Sequence, residues 1–365
     1  MLNTPDENGF SPIDLALYYD REDIVRALIE KGAQLNAPDG HGCKALYKAI
    51  RKSKAQIAEL LISNGADFLA PEDAPDAFTP LHLAAQYGLE SVVKLLIDKS
   101  VNVNIWNSGT TGCSCTPLHL AVKNGHEQVV EILLENNADP NAMANLSQDP
   151  REMGLMPLHV AAEMGLTRVV QLLLDKGADP GATVSQRKGE RAPLHLAALN
   201  LHAGTAKELL ERRADPDAVV TAWGEPMTPI WCAMPRVLPA YRTVPAEVQK
   251  AKCAAMAKIL IQAGARLDAP YYRGHTLSLW AQMHGTPELC WVLSKEERAP
   301  LSPFNQDPFK TPGAGSVSWV DWSEEDYRTD RTSPRLPNTQ PSGPPSNPIR
   351  WAEVCNSPAF KPTVR

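Results

Sequence analysis

The chain has 365 residues, 43% of them hydrophobic, with a formal net charge of −6 at pH 7 and a pI near 5.9. That balance supports a folded body and leaves no basic excess for gripping a phosphate backbone, so nucleic acid is not an expected ligand. No window approaches the roughly 18 uninterrupted apolar residues of a membrane span, and the opening MLNTPDENGF has neither a basic nor an apolar leader region, so a cytoplasmic or nuclear location without membrane insertion is expected.

One heptapeptide recurs along the chain: TPLHLAA from Thr79, TPLHLAV from Thr116, MPLHVAA from Met156 and APLHLAA from Ala192. Extending the same register places equivalent first positions at Ser11, Lys44, Thr228 and Thr276, and every one of the series is followed five residues later by an alanine. A second marker, a GAD-like turn, falls at Gly32, Gly65, Ser100, Asn137, Gly177, Arg213 and Gly264. The first six units keep 21 residues from first marker to second, while the return varies over 12, 14, 16, 19, 15, 15 and 12 residues. A constant segment alternating with an elastic one describes a packed unit joined by surface loops, because packing tolerates no change of length and loops do.

At the start, LNTPDENGFSPIDLA aligns with the loop that precedes such a unit, Asp6, Gly9 and Ser11 standing where Asp39, Gly42 and Lys44 recur. Leu2 and Asn3 then read as the end of a unit whose helices are missing, through truncation or an uncapped first unit. The constant segment is clearest at TPLHLAAQYGLESVVKLLIDKS, where both sides of Gly88 carry apolar residues at helical spacing, predicting two short antiparallel helices. Threonine before proline suits an N-cap followed by the first helical position. Leu81, Leu83 and Ala84 are expected to face inward, and Val92, Val93, Leu95 and Leu96 form the stripe of the second helix.

With its TPLH start and a unit of about 33 residues, the pattern resembles the ankyrin repeat. That resemblance implies an all-α solenoid of about eight stacked helix-turn-helix units with hairpin loops over residues 1–295, the second, seventh and eighth units being read from spacing more than from letters. Unit seven breaks the rule: Thr228 to Gly264 spans 36 residues, and the extra segment around 235–249, with Pro235, Pro239 and Pro245, is expected to bulge between its two helices. From 296 to 365 periodicity gives way to proline and serine, predicting a largely disordered tail. Within that tail Trp319, Trp322 and Tyr327 stand among Asp321, Glu324, Glu325 and Asp326, as a docking motif or as a cap on the last unit.

His82, His119, His159 and His195 invite a metal reading, but equivalent residues on stacked helices lie roughly 8–10 Å apart, whereas zinc needs imidazole nitrogens near 2 Å from one ion. A structural bond to the backbone of the adjacent hairpin is what the ankyrin resemblance implies for them. The seven cysteines (Cys43, Cys113, Cys115, Cys232, Cys253, Cys290 and Cys355) are scattered and read as reduced thiols. No phosphate loop, zinc-protease helix or nucleophile elbow is present, so no cofactor, metal or catalytic residue is assigned and the protein is expected not to be an enzyme. Thr79, Thr116 and Thr228 precede prolines but should be engaged as helix caps; the Ser-Pro and Thr-Pro pairs of the tail are the better modification sites.

A stacked array is expected to present a concave face to a partner. The positions at the ends of the first helices, taken as neither cap nor core, are Tyr18, Tyr19, Arg51, Lys52, Gln86, Tyr87, Lys123, Asn124, Glu163, Met164, Leu199 and Asn200, a mixture of aromatic, cationic and amide side chains typical of protein interfaces. Hairpin tips add Trp106, Trp223, Tyr271 and Tyr272. The tip at Glu72, Asp73 and Asp76 is acidic and that at Arg187, Lys188 and Arg191 basic, which would orient a partner. The expected function is a monomeric, non-catalytic scaffold for a protein or peptide; the alternative is a targeting or regulatory part of a larger enzyme or signalling protein.

Overall fold

A computed structural model describes residues 2–37, 44–68, 78–107, 114–145, 154–186, 189–222, 225–234, 246–267, 276–283, 289–290 and 292–293. Helices come in pairs. The first members are α1 (Pro12–Tyr18), α3 (Ala45–Arg51), α5 (Pro80–Tyr87), α7 (Pro117–Lys123), α9 (Pro157–Met164), α11 (Pro193–Leu199) and α13 (Pro229–Cys232). Their partners are α2 (Glu22–Glu30), α4 (Ala55–Ser63), α6 (Glu90–Asp98), α8 (Glu127–Glu135), α10 (Thr167–Asp175), α12 (Ala203–Glu211) and α14 (Ala246–Gln262), and α15 (Leu277–Met283) follows. First helices pack on first helices from α1 to α13, and second on second from α2 to α14. The alanine of each motif (Ala49, Ala84, Ala121, Ala161, Ala197) is fully buried in one continuous core, so a larger side chain there would push neighbouring helices apart.

Local chemistry sets each helix start and stop. Ser11, Thr79, Thr116, Met156, Ala192 and Thr228 hold extended backbone at the N-cap, with proline in the first turn. The turn between helices, nine residues on, is left-handed in six units, at Asp20, Ser53, Gly88, Gly125, Gly165 and Leu201, and the second marker is left-handed in all seven, from Gly32 to Gly264. Ser100 (φ 62), Asn137 (φ 64) and Arg213 (φ 68) therefore occupy a conformation made for glycine. Gly88 has a second reason to be glycine: a Cβ there would lie 2.6 Å from Nδ1 of His126, whose Nε2 donates to the Gln86 carbonyl at 2.9 Å and straps one unit to the previous one.

The loops between units form hairpins. β1 (Val184–Gln186), β2 (Gly189–Arg191), β3 (Val220–Ala222) and β4 (Glu225–Met227) make an antiparallel sheet in the order β1-β2-β3-β4, so hairpins of successive units lie side by side. Bridges Ser114–Asn145 and Ala144–Leu155 repeat the arrangement two units earlier. The bulge expected in unit seven falls between α13 and α14, with 235–245 outside the described residues. The boundary drawn at 249 is corrected: residues 246–249 already belong to α14, which runs 17 residues where the other second helices run nine.

Each motif histidine is buried and clamps its unit to the next hairpin. Nε2 of His82 meets the Cys115 carbonyl at 3.1 Å; His119 meets Ala142 and Leu155 at 3.0 and 3.2 Å; His159 meets Ala182 and Arg191 at 3.1 and 3.3 Å; His195 meets Ala218 and Met227 at 3.0 and 3.2 Å. A carbonyl only accepts, so Nε2 carries the proton and Nδ1 is left as acceptor. Thr79 and Thr116 hydroxyls donate to it at 2.8 Å. Met156 and Ala192 offer no hydroxyl, and Nδ1 of His159 and of His195 finds no partner among the described residues. Unit one replaces the imidazole by Asp14, which is buried, bonded to the Ser11 hydroxyl at 2.6 Å and paired with Lys48 of the next unit at 2.8 Å.

A second ladder, absent from the sequence reading, ties the turns at the far end of the units. Asn36, Asn104 and Asn141 each donate to the carbonyl of the next unit's left-handed residue (Gly65, Asn137, Gly177) and accept from the amide two residues on (Asp67, Asp139, Asp179). Asn3 accepts from the Gln34 amide at 2.8 Å, and Asp217 accepts from that of Arg266 at 2.7 Å.

Burial holds all four motif imidazoles neutral, lowering their pKa from 6.5 to about 4. Between those values the unfolded chain binds protons that the folded chain refuses, so stability is complete above pH 6.5 and falls as pH drops toward 4. Each histidine withdraws up to about 3 kcal/mol, and together they rival the whole stability of an ordinary domain. Helical circular dichroism is therefore expected to collapse between pH 6.5 and 4, and retention of full helicity below pH 4 would contradict the clamp. Ala192→Thr, which supplies the hydroxyl missing at His195, should raise stability in urea by about 1 kcal/mol. Arg213→Gly should gain about 0.5 kcal/mol, relief of left-handed strain outweighing added chain entropy, whereas Gly88→Ala should lose about 2 kcal/mol.

Candidate protein-binding face

The ends of the first helices form a row across successive units, because those helices pack side by side in a common register. At one end Tyr18 and Tyr19 meet edge to face with ring centroids 5.1 Å apart, Tyr19 being 69% exposed. Lys52, from the next unit, stands 5.5 Å from the centre of the Tyr18 ring, donates to the Tyr18 carbonyl at 2.8 Å and reaches Asp20 at 3.4 Å. The Tyr18 ring is thus held by a cation, and Tyr19 meets it edge to face. Arg51, Gln86, Tyr87 and Lys123 are half-buried, and the Tyr87 ring packs against the core. Oε1 of Gln86 is buried and meets no donor among the described residues. Glu163 is exposed, and Met164 is 44% exposed.

The assumption that these positions serve neither cap nor core fails in three places. Leu199 is buried and joins the core. Asn124 and Asn200 are C-cap residues whose side-chain amides donate to the Leu120 and Leu196 carbonyls at 2.8 and 2.9 Å, satisfying acceptors that a helix end leaves open. Lys52 and Tyr19 also close their helices as C-cap residues, but their side chains project outward. The candidates Trp223, Tyr271 and Tyr272 lie outside the described residues, as do the acidic tip at 72–76, Arg187, Lys188 and everything from 294 onward.

On the hairpins, Trp106 is 43% exposed, its ring 6.3 Å from that of His119. The sequence reading missed two companions, Met143 and Val219, which are 56% and 51% exposed. Their signal was available: Trp106, Met143 and Val219 each stand six residues after a second marker, as does Thr183, also exposed. The next residue in each case (Asn107, Ala144, Val184, Val220) is buried, the two-residue alternation of a strand with one covered face.

Thiols are a structural matter here. Cys115, Cys232 and Cys253 are buried, and Cys290 is half-buried. Burial pushes Cys232 up to about 12 and Cys253 up to about 11, so neither is a thiolate at neutral pH. Thr79 and Thr116 cap their helices through their hydroxyls, whereas Thr228 holds the N-cap position without a side-chain cap bond; all three are buried and so closed to a modifying enzyme in the folded state. Among the described residues no helix is long and apolar enough to cross a membrane.

A family model for ankyrin repeats (3 copies) matches residues 1–72, 68–144 and 142–220. The chain belongs to the ankyrin-repeat family. Among solved structures the array resembles the human ASB11 ankyrin repeat domain, at 21% identity and a TM-score of 0.51 over 70% of this chain and 98% of that one. It also resembles the ankyrin repeat domain of Bcl-3, a member of the IkappaB protein family, at 24% identity and a TM-score of 0.49 over 63% and 96%. No curated protein sequence matches the chain. The ASB11 likeness shows the fold. Ankyrin repeats are generally protein–protein interaction modules.

Within this ankyrin array the corrected positions are expected to behave as structure. Leu199→Ala should cost about 2 kcal/mol in a denaturant titration. Met164→Ser should change stability by less than about 0.5 kcal/mol; a large loss at Met164 would show that it too belongs to the core.

Proposed function

We propose that the protein is a non-catalytic scaffold that holds a protein or peptide across the ends of its first helices and the adjoining hairpins. The observation that supports this most directly is the exposure of Tyr18 and Tyr19 at the end of α1 and of Met164 at the end of α9, side chains that the core does not require. Large apolar side chains on a rigid support suit partner recognition, since contact area is gained with little ordering cost. Lys123, at the end of α7, and Glu163, next to Met164 in the chain, would give the contact polarity and direction.

The test is a folded variant carrying Tyr19→Ser, Lys123→Ala and Met164→Ser, compared with the unaltered chain in affinity capture followed by mass spectrometry. Partners retained by the unaltered chain are expected to be lost by the variant, with circular dichroism and thermal midpoint unchanged. An identical set of captured proteins would reject this face.

A further inference from the structure

The hairpin row has a spacing of its own, and that spacing selects a ligand conformation. Two strands per hairpin, in the order β1-β2-β3-β4, set equivalent positions two strand separations apart, roughly 9.5 Å. Thr183 and Val219, one residue before β1 and β3, stand at that repeat, and Met143 and Trp106 occupy the same position in the two preceding hairpins, where the bridges Ser114–Asn145 and Ala144–Leu155 pair the chain in the same way; all four are exposed. A polyproline II segment advances about 9.3 Å per three-residue turn and so returns a side chain to the same line at nearly the same interval. An α-helix returns one only every seven residues, about 10.5 Å, and drifts out of step over the row. An extended strand repeats on one face every 6.8 Å or so and matches no better.

Carboxylates beside the row narrow the choice, Arg191 on β2 being the one Arg or Lys within strands β1 to β4. Asp139, Asp179 and Asp215 are exposed, four residues before Met143, Thr183 and Val219. Each accepts from the amide two residues on, Asn141, Gly181 and Asp217, at 2.9 Å. None has a cationic partner among the described residues. They lie near the clamp: although burial dominates His119, His159 and His195, the charge of Asp139, Asp179 and Asp215 respectively also acts on each ring. The Trp106 ring borders that of His119, the same ring on which the Asp139 charge acts.

We propose that the hairpin row of Trp106, Met143, Thr183 and Val219, flanked by Asp139, Asp179 and Asp215, docks a proline-rich basic segment of a partner protein in the polyproline II conformation, one three-residue turn per repeat unit. Apolar side chains at every third position sit on the row, and arginines or lysines on the adjacent line face the carboxylates. The proposal rests on the reading of the array as a protein-binding module and names the chemistry of one partner segment.

The probe is a fluorescein-labelled peptide of four Leu-Pro-Arg units, titrated by anisotropy against the full chain. Two controls accompany it: a peptide of the same composition with the three-residue period scrambled, and a helical peptide with leucine at every seventh position. The periodic peptide is expected to bind about tenfold more tightly than either control. Trp106→Ser, Met143→Ser and Val219→Ser together should weaken it by about tenfold or more. Asp139→Asn, Asp179→Asn and Asp215→Asn should also weaken it and flatten its salt dependence, since asparagine keeps the local turn bond and removes only the charge. Equal binding of the scrambled peptide, tighter binding of the heptad peptide, indifference to the row substitutions, or no binding would each overturn the proposal. The first-helix variant keeps the two readings separate. If it loses cellular partners while the row variant retains them and binds the periodic peptide normally, the scaffold function stands and the hairpin site falls; if neither variant loses a partner or the peptide, both fall.

Discussion

A neutral imidazole that donates to the backbone of the next hairpin is the contact on which this array depends. It joins side chain to main chain across a unit boundary, so it works only when the distance from helix start to hairpin is the same each time. The constant 21-residue segment of the four units that carry the histidine keeps that distance. Burial makes the bond strong and also makes protonation expensive, which ties cohesion of the stack to pH. Where the imidazole is absent, as in the first unit, a buried Asp14–Lys48 ion pair spans the same boundary.

The scheme tolerates local imperfection because neighbouring units share the load. Among the described residues two of the four clamping histidines lack a donor for Nδ1, and three second-marker turns place ordinary residues in a left-handed conformation. Each defect costs about a kilocalorie, while the continuous core and the asparagine ladder carry on through it. Cohesion spread over many equivalent junctions leaves room for some first-helix ends and hairpin positions to hold large side chains in solvent, among them Tyr19, Met164, Trp106 and Met143.

Particular residues show why some of this was readable and some was not. Thr79 and Pro80 announced a helix start because capping is decided within four residues of chain. The second markers were legible as turns even at Ser100 and Arg213, where the letter argued against it, because their distance from the first marker did not change. Leu199 looked like its neighbours in the register and proved buried, since what covers it comes from other parts of the chain. Asn124 and Asn200 looked like interface residues, yet their amides are spent on helix carbonyls four residues back, a rotamer choice that spacing does not reveal. Met143 and Val219 went unnoticed because a hairpin with a variable return is hard to register from its far end, although counting forward from the turn finds them.

What the amino-acid order determined alone was periodicity: which residues start helices, which turn, which alternate at helical spacing, and hence the repeat and its family. Such features are local, set by backbone sterics and by hydrogen bonds closed over a few residues. Only the tertiary structure decided which side chains remain in solvent, which nitrogen of each imidazole finds a partner, and that hairpins of successive units join into one sheet with a common spacing. Those outcomes depend on contacts between residues 23 or more positions apart, and burial and pairing across such distances belong to the stack, not to any single stretch of chain.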